Sequence, residues 1–293
     1  MMKVFCFGLG YSATAFAQRC KARGWPVAGT TRTQTKARLL AANGIEAHIF
    51  TGDAPSQTVS RAIAEATHVV VSIAPDTNGD PVLRHHVDDL AQSTKLRWLS
   101  YLSTIGVYGN RDGAWIDETA TVAPLSQRSI HRVAAENAWL EFAGTKAIPL
   151  QIFRLAGIYG PGRSAIDKII AGTARRLIKP GQVFNRIHVD DITETLMSGL
   201  ERPQHTGFFN VTDDLPAPPQ DVVEFAAQIL HHPVPPDIEF ETADLSPMAR
   251  SFYGENKRVK NSKIRDLLQV KLLYPTYKEG LTAVAKNHAN NCA

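Results

Sequence analysis

The hexapeptide GLGYSA at residues 8–13 is the first stretch of the chain whose residue types suit ligand binding. Gly8 closes a short apolar run, KVFCFG, and Gly10 precedes a segment with helical spacing. Glycines are needed where a backbone turns tightly beside a pyrophosphate, and the following helix N-terminus offers free N–H groups. In this position between strand and helix, the motif favours dinucleotide binding over a merely structural turn. The residues predicted to hold the phosphates are Gly8, Gly10, Tyr11, Ser12 and Ala13.

The end of the second predicted strand bears on which dinucleotide is bound. An acidic residue there would hydrogen-bond the ribose 2′-hydroxyl of NAD, but the strand ends in GTTR, with Thr31 and Arg32. A guanidinium suits a 2′-phosphate, so we expect NADP as the cofactor rather than NAD. Alternatively, Arg32 is a solvated loop residue. Arg38 is a second, weaker candidate for contact with the 2′-phosphate. Further cofactor contacts are predicted where the fourth strand ends, at Ser72, Ala74 and Pro75.

The elements that must position these residues alternate between strand and helix patterns through the first two-thirds of the chain. Six short apolar segments are predicted strands, separated by stretches with helical spacing, and GFFNVT at 207–212 is a further strand. This alternation predicts an α/β fold, a Rossmann doubly wound parallel sheet with helices on both faces. After about residue 160, glycine and proline breaks predict a smaller C-terminal substrate lobe over the carboxyl ends of the strands.

The predicted domains follow from this change of pattern. Residues 1–160 are expected to form the NAD(P)-binding Rossmann domain, with residues 186–212 returning to it. Residues 161–185 and 213–293 are expected to form the small substrate-binding lobe.

Composition excludes several classes of protein. Of 293 residues, 44% are hydrophobic and 20% charged, which predicts a packed core. The net charge of +4 suits a phosphorylated small ligand, but no run of five Lys or Arg supports nucleic-acid binding. Three cysteines without a CxxC spacing, Cys6, Cys20 and Cys292, favour a reduced cytoplasmic protein without disulfides or metal. No apolar run approaches the roughly 20 residues of a membrane helix.

Five motifs occur in an order that resembles extended short-chain dehydrogenases/reductases: GLGYSA, SIAP, YLSTIGVYG, RLAGIYGPGR and RIHVDD. That group includes sugar-nucleotide epimerases and dehydratases. The chain looks most like an atypical branch, the NAD-dependent epimerase/dehydratase family proteins. The resemblance spans roughly residues 3–212 and is specific as a set, although no single motif is. It implies an oxidoreductase or epimerase/dehydratase acting on a small carbonyl or nucleotide-sugar substrate.

The resemblance assigns roles to the stretch STIGVY at residues 103–108. In the family, a Ser or Thr at the end of the fifth strand holds the substrate oxygen, and this position falls on Thr104, with Ser103 beside it. A hydroxyl there can donate to a carbonyl or accept from an alcohol. The alternative is a threonine that only satisfies backbone groups at a strand end.

The family's Tyr-x-x-x-Lys element falls on RSIHR, so that Arg128 takes the tyrosine position and Arg132 the lysine position. Arg132 can still hydrogen-bond the nicotinamide ribose. Arg128 cannot act as general acid/base because a guanidinium does not deprotonate in proteins. Tyr108 and His131 are the nearest substitutes, although Tyr108 in such proteins often packs under the site and His131 points elsewhere on the helix. Arg128 could instead bind an anionic substrate or form a surface salt bridge.

The segment after the sixth strand is expected to lead toward substrate. The resemblance implies that three residues approach the nicotinamide: Ala156, Gly157 and Ile158. Tyr159 and Arg163 are expected to face the substrate. In RIHVDD, His188 is interpreted as a satisfied buried histidine, and Asp190 or Asp191 as the N-cap of the next helix.

Three functions remain compatible with the sequence. The first is an NADP-dependent enzyme acting on a small-molecule substrate, and the second is a non-catalytic NADP-binding redox sensor or regulator that lacks the tyrosine acid/base. The third is an assembly protein with a structural nucleotide. A homodimer through helices around 81–93 and 127–142 is also compatible, although the apolar stripe of the second helix would serve equally as core.

Overall fold

Thirteen strands and eleven helices make up the computed structural model, which describes residues 2–292, with side-chain surroundings up to residue 289. In chain order the strands are β1 (Val4–Phe7), β2 (Val27–Thr31), β3 (Glu46–Ile49), β4 (His68–Val71), β5 (Trp98–Thr104), β6 (Trp115–Ile116), β7 (Leu150–Leu155), β8 (Gly157–Tyr159), β9 (Arg176–Ile178), β10 (Arg186–His188), β11 (Gly207–Val211), β12 (Asp237–Glu239) and β13 (Arg258–Val259).

The helices are α1 (Tyr11–Ala22), α2 (Gln34–Ala42), α3 (Gln57–Glu65), α4 (Pro81–Gln92), α5 (Gln127–Lys146), α6 (Ala165–Ile170), α7 (Val189–Glu201), α8 (Pro219–Ile229), α9 (Pro247–Phe252), α10 (Ser262–Asp266) and α11 (Tyr277–Cys292). A single 3-10 turn, Ile105–Tyr108, follows β5.

The central sheet has seven strands in the order β11-β7-β5-β4-β1-β2-β3, and every neighbouring pair is parallel. Strand order reverses at β1, so the crevice outside its carboxyl end is the topological switch point where such sheets bind ligands. The predicted α/β doubly wound Rossmann fold is confirmed.

Alternate residues of the strands pack into two apolar clusters on opposite faces of the sheet. Val4 and Cys6 of β1 belong to one cluster, with α1 and α7, whereas Phe5 and Phe7 belong to the other, with α3, α4 and α5. Side chains of a strand point alternately to its two faces, so both faces of β1 are buried. The apolar run KVFCFG is explained by this double burial.

The sixth predicted strand is divided in two. β7 ends at Leu155, and after Ala156 the chain leaves the central sheet and forms β8, which pairs with β10. Beyond it, a third apolar cluster joins α6, α8 and α11 into the C-terminal lobe. β11 forms one edge of the central sheet, opposite β3. Helix α7 packs on α1, where Cys20 Sγ lies 3.9 Å from Met197 Sδ. The domain boundaries at residues 160 and 185 stay predictions.

The apolar stripe of α5 faces inward. Ala135, Trp139 and Phe142 are buried in the cluster beneath the sheet, which is the core alternative left open by the sequence. A homodimer through α4 and α5 stays a prediction.

Cys6 and Cys20 are buried free thiols, whereas the side chain of Cys292 lies outside the described surroundings. None of the helices found in residues 2–292 combines the length and apolar character that a membrane crossing requires.

Candidate functional site

The turn between β1 and α1 brings the backbone of Gly8 close to Ser72 and Ile73, which follow β4. Gly8 has φ +86°, a conformation that side chains rarely adopt, and a Cβ there would lie 2.8 Å from Ile73 Cγ1. Its N–H donates to Thr30 Oγ1 at 2.8 Å, which fixes the turn to β2. Gly10 is the N-cap of α1 and supplies no side-chain cap. The first-turn N–H groups of α1 are therefore left for another acceptor.

Most of the other predicted cofactor residues lie along the same edge of the sheet. Because the strands are parallel, β2, β4 and β7 all end there. Thr31 is buried at the end of β2, and Arg32 follows it, exposed. The Arg32 guanidinium forms no hydrogen bond or ion pair within residues 2–292. Ser72, Ala74 and Pro75 follow β4 at this edge, and Ala156 follows β7, whereas Gly157 and Ile158 have left the central sheet and begin β8 beside β10.

Thr104 stands at the end of β5 with a hydroxyl that keeps one donor free. Its Oγ1 accepts the N–H of Gly106 at 3.1 Å, capping the 3-10 turn. A hydroxyl has one hydrogen and two lone pairs, so this bond leaves the hydrogen available to a substrate oxygen. Thr104 therefore satisfies a backbone group at the strand end, as the alternative interpretation expected. This bond still allows its hydroxyl to donate to a substrate oxygen.

Ser103 does not share the position of its neighbour. Consecutive strand residues point to opposite faces, and the buried Ser103 hydroxyl donates to Glu136 Oε1 at 2.5 Å. Its hydroxyl is committed to the packing of α5 on the sheet. The expectation that Ser103 joins Thr104 in contacting substrate is corrected on this ground.

Glu136 belongs to a buried ion pair beneath the site. Arg154 Nε donates to Glu136 Oε1 at 3.1 Å, and Arg154 Nη2 donates to Oε2 at 2.7 Å. The Arg154 guanidinium also lies 4.0 Å from the ring centre of Phe208 and 4.8 Å from that of Tyr108. The bonds among Ser103, Glu136 and Arg154 connect α5 to β5 and β7. They were not predicted from the sequence, although Glu136 stands one helical turn after Arg132.

Tyr108 is buried in the core. Its hydroxyl donates to Asn210 Oδ1 at 2.8 Å, its side chain is fully buried, and burial raises its pKa. A phenol held in this way cannot reach a substrate without breaking a buried hydrogen bond. Tyr108 is therefore no substitute for the missing tyrosine.

Arg132 reaches the carboxyl end of β5, where the family's lysine is expected. Its Nη1 donates to Leu102 O at 2.8 Å and to the Tyr101 hydroxyl at 2.9 Å. Its other donors are left for a ligand, because neither Nε nor Nη2 bonds to the rest of residues 2–292.

Arg128 lies one turn further out on α5 and bridges to the lobe. Its guanidinium is 5.2 Å from the ring centre of Phe252 in α9. Within the described part of the chain no carboxylate pairs with it, so the salt-bridge alternative is not what is observed. Arg128 is a cation that contacts the Phe252 ring and has no carboxylate partner in the described residues.

Ser129 is a buried neighbour of Thr104 that was not among the residues predicted from the sequence. A Cβ on Gly106 would lie 2.9 Å from Ser129 Oγ and 3.4 Å from Thr104 Oγ1, so both hydroxyls pack closely against Gly106. Ser126 caps α5 by accepting the Ser129 N–H at 3.2 Å, and its hydroxyl donates to Ser129 Oγ at 2.9 Å. Its position could have been found from the spacing, because residues three apart in a helix share a face and Ser129 stands three residues before Arg132.

Tyr159 and Arg163 take different positions. Tyr159 is buried in the lobe core, with its ring 5.1 Å from His188 and its hydroxyl beside Gly280, where a Cβ would lie only 2.0 Å away. It therefore packs the lobe rather than facing substrate, which corrects that expectation. Arg163 is exposed, and its guanidinium lies 5.8 Å from the ring centre of Tyr11.

His188, and neither aspartate, caps α7. Its Nδ1 accepts the N–H of Asp190 at 3.2 Å, and burial lowers its pKa, although the nearby Asp190 carboxylate acts in the opposite direction. The carboxylate of Asp191 instead accepts the N–H groups of Leu273, at 2.6 Å, and Tyr274, at 3.2 Å. The predicted burial of His188 is observed, but its Nε2 has no partner in the described residues.

Comparisons with known proteins agree with this architecture. The Escherichia coli (strain K12) protein YeeZ is 27% identical over 221 residues, which cover 72% of this chain and 77% of YeeZ. A conserved protein of unknown function from Silicibacter pomeroyi DSS is 44% identical in its solved structure, with a TM-score of 0.89 and coverage of 98% of this chain and 99% of that one.

The dTDP-glucose 4,6-dehydratase of Bacillus anthracis str. Ames, solved in complex with NAD, shares the fold at 15% identity, with a TM-score of 0.80 and coverage of 99% and 97%. A model of the family described as NAD dependent epimerase/dehydratase matches residues 8–211. The chain belongs to this NAD dependent epimerase/dehydratase family.

Proposed function

We propose that this protein binds NADP(H) at the carboxyl edge of its sheet and acts on a small carbonyl or nucleotide-sugar substrate as an oxidoreductase or epimerase/dehydratase. The observation that carries the proposal is the turn at Gly8, which has φ +86° and leaves no room for a Cβ beside Ile73. This cradle leads into an α1 N-terminus without a side-chain cap, and both features fit a pyrophosphate. Bound NADP(H) would supply the hydride carrier.

A preference for NADP over NAD is supported by Arg32. Its exposed and unpaired guanidinium follows Thr31 at the end of β2, where an acidic residue would favour NAD. Titration of the purified protein with NADPH and NADH tests this preference. Arg32→Ala should weaken NADPH binding and spare NADH, whereas Arg61→Ala, an exposed arginine in α3, should change neither. An unchanged preference in Arg32→Ala would show that the assignment is wrong.

Three side chains near the end of β5 have distinct proposed roles. The free hydrogen of the Thr104 hydroxyl would donate to a substrate carbonyl oxygen. The remaining donors of Arg132 would hold the nicotinamide ribose. Arg128, which has no carboxylate partner in residues 2–292, would bind an anionic group of the substrate as a fixed cation.

A non-catalytic NADP-binding sensor or regulator is the second candidate. It is favoured by two observations: Tyr108 is bonded to Asn210 in the core, and Arg128 stands where the family's tyrosine would be. Assay of the NADPH-loaded protein against a broad panel of carbonyl compounds separates the two functions. Turnover supports the enzyme, whereas tight NADPH binding without turnover of any compound supports the sensor.

A further inference from the structure

The side chain of Tyr11 connects the glycine turn to the start of the lobe. Tyr11 is the first residue of α1, and its hydroxyl donates to the carbonyl of Pro161 at 2.9 Å, across 150 residues of sequence. The guanidinium of Arg163 lies 5.8 Å from the centre of the same ring. Tyr11 is thus held by the turn at residues 160–163 and not by the core of its own helix.

That turn is built to receive the hydroxyl. Gly160 and Arg163 exchange two backbone hydrogen bonds, of 3.3 and 3.0 Å, so the turn is closed on itself. Gly160 has φ +153°, and a Cβ there would lie 2.6 Å from the Tyr11 hydroxyl. A side chain at residue 160 would displace the phenol from this position. The N–H of Gly162 also donates to Asp167 Oδ1 at 3.1 Å, which anchors the turn to the first turn of α6.

The hydrogen bond from Tyr11 to Pro161, called the bridge below, joins the two ends of the proposed coenzyme site. Tyr11 begins at the loop proposed to hold the pyrophosphate, and the turn follows β8, whose first residues are proposed to approach the nicotinamide. A dinucleotide that runs from the N-terminus of α1 to the end of β7 would span the two elements that this hydrogen bond links. The bond to Pro161 is at the surface, so water can replace it when the bridge opens.

We propose that Tyr11, Pro161 and Arg163 form a clasp that must open for the coenzyme to enter or leave. The proposal rests on the proposed coenzyme site. The Tyr11 backbone N–H belongs to the proposed phosphate site, but the clasp uses the Tyr11 side chain, which acts as a barrier and not as a contact with the ligand. Weakening it therefore speeds entry and exit alike. Its signature is that both rate constants change together while the dissociation constant stays nearly the same.

Stopped-flow measurement of NADPH fluorescence tests the clasp. Tyr11→Phe keeps the ring under Arg163 and removes only the hydroxyl. For the loss of one neutral hydrogen bond we expect the association and dissociation rate constants each to rise about fivefold, with a change in Kd of less than about twofold. Arg163→Ala should raise both rates in the same way, and Tyr277→Phe, a lobe tyrosine outside the clasp, should leave them as in the wild type.

Two results would overturn the clasp. In one, only dissociation becomes faster in Tyr11→Phe, which would make the hydroxyl a direct coenzyme contact. In the other, neither rate changes in Tyr11→Phe or Arg163→Ala. Failure of the proposed function itself has a different outcome, because the wild-type protein would then bind no NADPH.

Discussion

Glu136 and Arg154 form a buried ion pair joined by two hydrogen bonds, of 2.7 and 3.1 Å, with side chains only 2% and 3% exposed. The pair connects α5 to β7 directly below the end of β5, and Ser103 adds a third bond to the same carboxylate. Arg128 and Arg132 project from the same helix. The position of both arginines over the sheet edge therefore depends on a charge pair that touches neither of them.

Removing the charge of Glu136 should destabilise the fold. Glu136→Gln leaves the Arg154 guanidinium buried without a counterion, so we expect the free energy of unfolding to fall by about 3–5 kcal/mol. Urea unfolding measures this loss. Glu141→Gln, an exposed change on the same helix, should cost less than about 0.5 kcal/mol. Equal stability of the two variants would show that the pair does not hold α5 in place.

Substitutions of the adjacent residues Thr104 and Ser103 should differ sharply in their effects on turnover. If the protein reduces a carbonyl, Thr104→Ala should lower turnover by about 100-fold or more with NADPH affinity unchanged, and Thr104→Ser should retain most of it. Ser103→Ala removes only a hydrogen bond to Glu136, so stability should fall while turnover per folded molecule persists. A larger loss of turnover in Ser103→Ala than in Thr104→Ala would contradict the assignment.

Asp213 should make stability depend on pH. Its side chain is 1% exposed, Oδ1 accepts the Leu215 N–H at 3.2 Å, and Oδ2 has no partner in the described residues. Burial raises the pKa from 3.8 to about 8, although Arg186 acts in the opposite direction and nearby Asp191 and Glu279 add to the rise. The folded protein thus keeps a proton that the unfolded chain releases, and this contribution is lost as pH rises from 3.8 toward 8.

Urea unfolding at about pH 5 and about pH 8 measures that dependence. The wild type should lose stability between the two, and Asp213→Asn should lose clearly less. Asp244→Asn, an exposed aspartate of the lobe, should behave as the wild type. The same pH dependence in Asp213→Asn and the wild type would assign the effect to other groups.

Much of the architecture could be predicted because its causes are local in sequence. The strand run KVFCFG, the turn at Gly8 and the helix after Gly10 follow from burial and backbone conformation within about a dozen residues. The alternation of such units along the chain then predicts the parallel sheet and the edge at which its ligand residues gather.

The direction of individual hydroxyls could not be predicted in the same way. Tyr108 and Tyr159 lie in motifs that point to the site, yet one bonds to Asn210 and the other packs against α11, through contacts distant in sequence. The alternation of side chains along a strand indicates that Ser103 and Thr104 face opposite sides of the sheet, so Ser103 should not have been predicted to contact substrate. The contact of Tyr11 with Pro161 depends on how the lobe folds back, and no pattern near residue 11 indicates it.

A crystal structure of the wild-type protein grown with saturating NADPH tests the central claim most directly. The account predicts the pyrophosphate at the glycine turn, with its oxygens within about 3.2 Å of backbone N–H groups at the start of α1, and the 2′-phosphate beside Arg32. Density for NADPH elsewhere on the molecule, or none at this edge of the sheet, would contradict it.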